Sequence, residues 1–62
     1  MNLTQQQREE IEKMAYRLIP PGIIAINIGV DETDFLTELR TPGTGVRVAF
    51  YRGHIRQMIE VR

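Results

Sequence analysis

The chain has 62 residues, with 8 Lys+Arg against 8 Asp+Glu, no cysteine, no tryptophan and 42% hydrophobic residues. That length holds one small domain, residues 1–62, and excludes a cofactor-binding domain joined to a substrate domain. Without cysteine there is no disulfide framework, no Cys-ligated zinc and no thiol nucleophile. Chains this short bury only roughly 60% of their unfolded surface and usually draw on a disulfide, a metal or a second copy. The composition leaves idealised packing or self-association.

Residues 1–20 read as a helix and its stop. Leu3, Gln7, Ile11, Met14, Ala15 and Leu18 recur at steps of three and four, which is one helical face. Thr4 is the expected N-cap and Gln7 its capping-box partner. Glu9, Glu10 and Glu12 precede Lys13 and Arg17, an order that suits the helix dipole. Pro20-Pro21-Gly22 then ends the helix, because proline lacks the N–H needed to continue and restricts the residue before it.

Ile23 to Val30 alternates, with Ile24, Ile26, Ile28 and Val30 on one face, and reads as a half-buried strand. Asp31-Glu32-Thr33-Asp34 has turn composition. Phe35 to Arg40 admits two readings. As a strand it faces Phe35, Thr37 and Leu39 inward, pairing Val30 with Phe35, Ile28 with Thr37 and Ile26 with Leu39, and this match of register favours it. As a short helix capped by Asp31 or Thr33 it turns Phe35, Leu36 and Leu39 inward. That alternative gives an α-β-α-β-β order with residues 33–40 helical and a three-stranded sheet. Thr41 to Gly45 reads as a flexible connection. Val46, Val48 and Phe50, then Ile55, Gln57, Ile59 and Val61, alternate on either side of Arg52-Gly53, which reads as a two-residue hairpin turn.

The expected fold is α+β: one N-terminal helix packed on a four-stranded antiparallel meander. A helix is about 10–12 Å across, and four strands at ~4.8 Å span ~19 Å, so one helix covers only half of the apolar face. Uncovered apolar surface of that size marks an interface. The expectation is therefore a homodimer about a two-fold axis, with Ile24, Ile26, Val46, Gln57, Ile59 and Val61 as candidate self-association residues. Gln57 enters because an amide on the inward face needs an edge or a partner.

Neutrality is a cancellation. Residues 1–39 hold three cations against seven carboxylates, and residues 40–62 hold five arginines against Glu60 alone. On the hairpin register Arg40, Arg47, Arg56 and Arg62 share the outer sheet face with Tyr51, while Arg52 and His54 sit at its tip; Met58 and Leu36 add apolar surface. Guanidinium groups fit carboxylate or phosphate and stack on rings, so this is the candidate partner-binding face for an acidic protein surface or for nucleic acid. The bland reading is a solvated face protected from edge pairing. Zero net charge weighs against nucleic acid, whose non-specific binding rests on phosphate neutralisation.

No constellation reaches the specificity of a catalytic, cofactor or metal site. Asp31, Glu32 and Asp34 lack the spacing and distal Glu of a calcium loop and read as a turn. Gly43-Thr44-Gly45 is read as a connector into a strand, which is no phosphate cradle. His54 has no Ser or Cys anywhere in the chain to activate. The reading of function is a non-enzymatic, homodimeric protein-interaction module, with a small nucleic-acid-binding protein as the alternative and an enzyme assembled at a dimer interface from His54, Tyr51 and carboxylates as the third. No apolar run approaches the ~20 residues of a membrane span, and the polar N-terminus is unlike a signal peptide, so cytoplasmic residence is expected.

Overall fold

A computed structural model describes residues 2–60, and within them the chain forms four helices and no strand: α1 (Gln5–Tyr16), α2 (Pro21–Ile28), α3 (Glu32–Arg40) and α4 (Gly45–Glu60). The fold is all-helical. The expected α+β meander is overturned, and so is the three-stranded sheet of its alternative.

The first helix forms as its sequence predicts. The Gln7 N–H donates to Thr4 Oγ1 at 3.0 Å and the Thr4 N–H donates to Gln7 Oε1 at 2.9 Å, a reciprocal capping box. The helix closes before the prolines. Leu18 takes a left-handed conformation, φ 61°, so that its N–H reaches Ala15 O at 3.0 Å and the Ile19 N–H reaches Met14 O at 3.0 Å. This Schellman closure usually falls to glycine. A leucine there carries the Cβ–carbonyl crowding of the left-handed region, about 1–2 kcal/mol.

The second element inverts the strand reading. Pro21 occupies the first helical position, where its fixed φ helps and its missing N–H costs nothing. Gly29, at φ 79°, closes the far end, with the Gly29 N–H on Ile26 O at 3.2 Å and the Val30 N–H on Ala25 O at 3.1 Å. Ile24 and Ala25, neighbours that a strand would send to opposite faces, are both buried, whereas Ile26 is 69% exposed. The alternating isoleucines are real, but β preference is weak against packing and end signals, and Pro and Gly bracket eight residues of helix.

Residues 32–40 are helical, as the second reading of that segment allowed. Asp31 Oδ1 accepts the Asp34 N–H at 3.0 Å, Glu32 and Asp34 lie in the first turn and Arg40 in the last, an order favourable to the dipole. Phe35 is fully buried.

The hairpin is a single 16-residue helix. Thr44 starts it: its hydroxyl accepts the Arg47 N–H at 3.2 Å and donates to Glu38 O at 2.6 Å, tying the end of α3 to the start of α4. Val46, Ala49, Phe50 and Gly53 are the buried set, spaced three, one and three apart, which is one helical face. Gly53 is therefore no turn residue. A Cβ built on it would meet the carbonyl oxygen of Glu12, and would lie 2.8 Å from Ala15 Cβ and 2.9 Å from Tyr16 N. The backbones of α1 and α4 touch at this point, and only a hydrogen fits between them.

Around that contact the helices close a ring. α1 packs on α4 in the most extensive contact, and α1–α2, α2–α3 and α3–α4 complete the circuit. The diagonal pairs make no close approach among the described residues. The core is Ile11 and Ala15 of α1, Ile24 and Ala25 of α2, Phe35 of α3, and Val46, Ala49 and Phe50 of α4. With no sheet, the half-covered apolar sheet face does not exist. Ile24 and Val46, expected at a self-association surface, are wholly inside the protomer's own core. Gln57 is half-buried, Ile26 and Ile59 are exposed on different helices, and Val61 lies outside the described residues.

Two substitutions test this packing in thermal or urea unfolding. Gly53→Ala should destabilise by about 1–3 kcal/mol, the usual cost of overpacking, despite alanine's better helix propensity. Gly22→Ala should be near neutral, since the added methyl meets only the movable carboxylate of Glu32, at 2.9 Å. Separately, Leu18→Gly should stabilise by about 1 kcal/mol through relief of the left-handed strain, because Leu18 is 58% exposed and loses little packing.

Candidate functional site

α4 has two apolar faces. Its inner face, Val46, Ala49, Phe50 and Gly53, is spent on the core. At ~100° per residue Val48, Tyr51, Ile55 and Met58 project from the opposite side at steps of three, four and three, with Ile59 beside them. All five are exposed, Ile55 by 53%, Ile59 by 62% and Met58 by 73%. Isolated exposed apolar residues are ordinary, but a contiguous strip marks a contact surface.

The edges of the strip are cationic. Helical geometry puts Arg47 and His54 along one side, and Arg52 and Arg56 along the other. Arg47 is held in place: its guanidinium donates to Arg40 O at 3.2 Å and Leu39 O at 3.5 Å, and its Cζ lies 4.8 Å from the centre of the Tyr51 ring. It thus neutralises the carbonyl end of α3 and braces Tyr51 by a cation–π contact. His54 stacks on Phe50 with ring centres 4.5 Å apart. Arg56 reaches across to α1, bonding Glu12 Oε2 at 3.0 Å, and along α4 to Glu60 Oε2 at 3.2 Å. Hydrogen bonds to Glu12 and Glu60, with Glu60's charge, raise the Arg56 pKa above its ordinary value. A raised basic pKa stabilises the folded form below the unfolded value and is lost only as pH climbs through the folded one; here that window lies in strong alkali. Arg52 is exposed and makes no ion pair among the described residues.

The sequence-predicted face is therefore regrouped. Arg47, Tyr51, Arg52 and Met58 do share one surface, but it is a helix face and not a sheet face. Arg56 is occupied by two carboxylates, His54 leans on the core edge, Arg40 is exposed on α3, and Arg62 lies outside the described residues. Val48, Ile55 and Ile59 were assigned to the inner side of the hairpin and are found outside. The signal that would have found them is the 48-51-55-58 spacing, visible once helix is considered for the segment.

The other candidates resolve into structural roles. Asp31 caps α3, and Glu32 lies against Gly22 at the start of α2. Gly43-Thr44-Gly45 leads into a helix, correcting the expected strand, but the Thr44 hydroxyl already takes the N–H at that terminus. No group of three or more His, Asp or Glu side chains able to hold a metal occurs among the described residues. A cleft of about 640 Å³ between α1 and α2 has Met14, Ile19 and Ile28 as its apolar lining, with Glu10, Arg17 and Asn27 at its polar side. No described helix is long and apolar enough to cross a membrane.

Arg56→Gln should lower the melting temperature slightly, and the difference from the parent should shrink in high salt, since this bridge is exposed and screened. A loss unchanged by salt would mean that Arg56 acts through packing of its stem.

No known protein family, curated protein or solved structure matches the chain.

Proposed function

We propose that the protein is a non-enzymatic interaction module that docks a protein partner on the outer face of α4. The observation that carries this reading is the second apolar strip: five large side chains lie exposed on one helix, against eight buried hydrophobic residues in the core of the described residues. Burying such side chains is worth roughly 1.5–3 kcal/mol each when complete, so leaving them outside is costly unless they meet something. The strip also stands on a rigid support, since α4 is locked to α1 by the Gly53 contact and to α3 by Thr44 and Arg47. A preformed surface of that kind saves ordering cost on association.

Nucleic-acid binding is the weaker reading. Arg56 is held by two carboxylates of the same chain, and the whole chain is neutral.

The test is site-specific photo-crosslinking in the native host. A benzophenone amino acid at Ile55 should give discrete protein adducts that the same group at Thr33, exposed on α3, does not. Ile55→Asp should abolish the corresponding association without lowering the melting temperature, because the residue is outside the core. Identical adducts from both positions, no adduct from position 55, or adducts to nucleic acid would overturn the reading.

A further inference from the structure

Resting on that reading, we infer that the occupant of the α4 outer face is an acidic amphipathic helix of another protein. The strip has the geometry of a helix-packing seam. Val48, Tyr51, Ile55 and Met58 repeat at three and four, the a/d pattern of two consecutive heptads, and the β-branched Val48 and Ile55 share the a position. The seam is about 15 Å long at 1.5 Å per residue, the length of a three-turn partner helix. Its flanks then select the partner's charge. The a/d seam places Arg47 at a g position and Arg52 at an e position, on opposite sides. Neither is bonded to a carboxylate among the described residues: Arg47 meets only carbonyls and the Tyr51 ring, and Arg52 has no ion-pair partner. Each edge nearest the seam thus carries a guanidinium with no bond to a carboxylate among the described residues, although Glu9 and Glu12 of α1 line the same groove as Arg52, and a partner helix with Glu or Asp at its own e and g positions meets both guanidinium groups at once.

A second copy fits less well. Parallel pairing of two α4 seams sets Arg47 against Arg52, and antiparallel pairing sets each edge against itself; neither brings a carboxylate to the seam. Ile23 and Ile26 of α2 are also exposed, on a helix whose Gly22 lies against Glu32, but that helix has only eight residues. That helix is diagonal to α4, so seam-to-α2 contacts run head to tail and cannot form a two-fold dimer of matching patches. A bilayer fits less well too. Interfacial helices use Trp, Phe and Leu with basic side chains able to reach lipid headgroups, whereas this seam has none of those three and Arg56 is held by Glu12 and Glu60.

The probes are two three-heptad peptides with identical Ile/Leu seams, one with Glu and one with Lys at all e and g positions, together with vesicles of phosphatidylcholine and phosphatidylglycerol. Fluorescence anisotropy should show the Glu peptide binding at least about tenfold more tightly than the Lys peptide at low salt, with the gap narrowing at high salt. Arg52→Glu should shrink or reverse the preference, and Ile55→Asp or, independently, Met58→Asp should abolish binding while circular dichroism shows an intact fold. Equal binding of the two peptides would overturn the acidic-partner inference while leaving the docking surface standing. A sedimenting dimer that Ile55→Asp converts to monomer would replace the partner with a second copy, and binding to the vesicles but to neither peptide would replace it with a bilayer. Binding to none of these by a monomeric protein would overturn the inference and the proposed function together.

Discussion

Everything in this protein depends on how closely α1 and α4 approach. A chain of 62 residues has little core to spend, and among the described residues eight buried hydrophobic side chains hold four helices together. Of the five that α1 and α4 contribute, Ile11, Val46 and Phe50 are larger and two are alanines, Ala15 and Ala49. With Gly53 they make a seam of small residues along which backbone lies against backbone. Dispersion forces fall off so steeply that a gap of even a fraction of an ångström forfeits much of each contact. A wider spacing would require larger side chains, and larger side chains would push apart the other members of the ring.

That economy explains why α4 is apolar on two opposite faces. The inner face is filled by small residues and one phenylalanine, so most of α4's large aliphatic side chains have no place in the core. They are gathered on the outer face instead, at heptad spacing and between guanidinium groups. The mean character of the helix is therefore a poor guide to either face, and the meaning lies in where each residue points.

Legibility from sequence follows the same division. The first helix was readable to its cap because Thr4 and Gln7 carry a local, two-sided hydrogen-bond signature that needs no tertiary context. The turn acids were readable as turn-formers, and Asp31 does cap. The hairpin has a real basis in the sequence, since Val46, Val48, Phe50, Ile55 and Ile59 alternate as strands do. But Val46 and Phe50 also satisfy a helical step, and the residues that break the tie are Ala49 and Gly53, whose burial depends on a helix forty residues earlier in the chain. Glycine signals a turn where its conformational freedom is used; in Gly53 it is the size that matters, and the residue lies within a helix. The second segment failed for a related reason, since Pro21 and Gly29 were read as a stop and a strand residue when together they frame a helix. The arginine-bearing face survived the change of fold only in part, because Arg47, Tyr51 and Met58 lie on one side of α4, whereas Arg56 is turned toward α1.

Gly53 also links folding to recognition. Glycine in mid-helix is unfavourable by roughly 0.8–1 kcal/mol relative to alanine, and isolated helices of this length are marginal in water. α4 is thus a helix because α1 holds it, and the outer seam exists as a surface only in the folded chain. Any ligand that recognises the seam binds the native state and not the unfolded one, so its free energy of binding is added to that of folding. For a domain this small that linkage is large in proportion: a partner present at a hundred times its dissociation constant would contribute about 2.7 kcal/mol. The chain's persistence in a cell, and not only its activity, would then follow the concentration of what it binds.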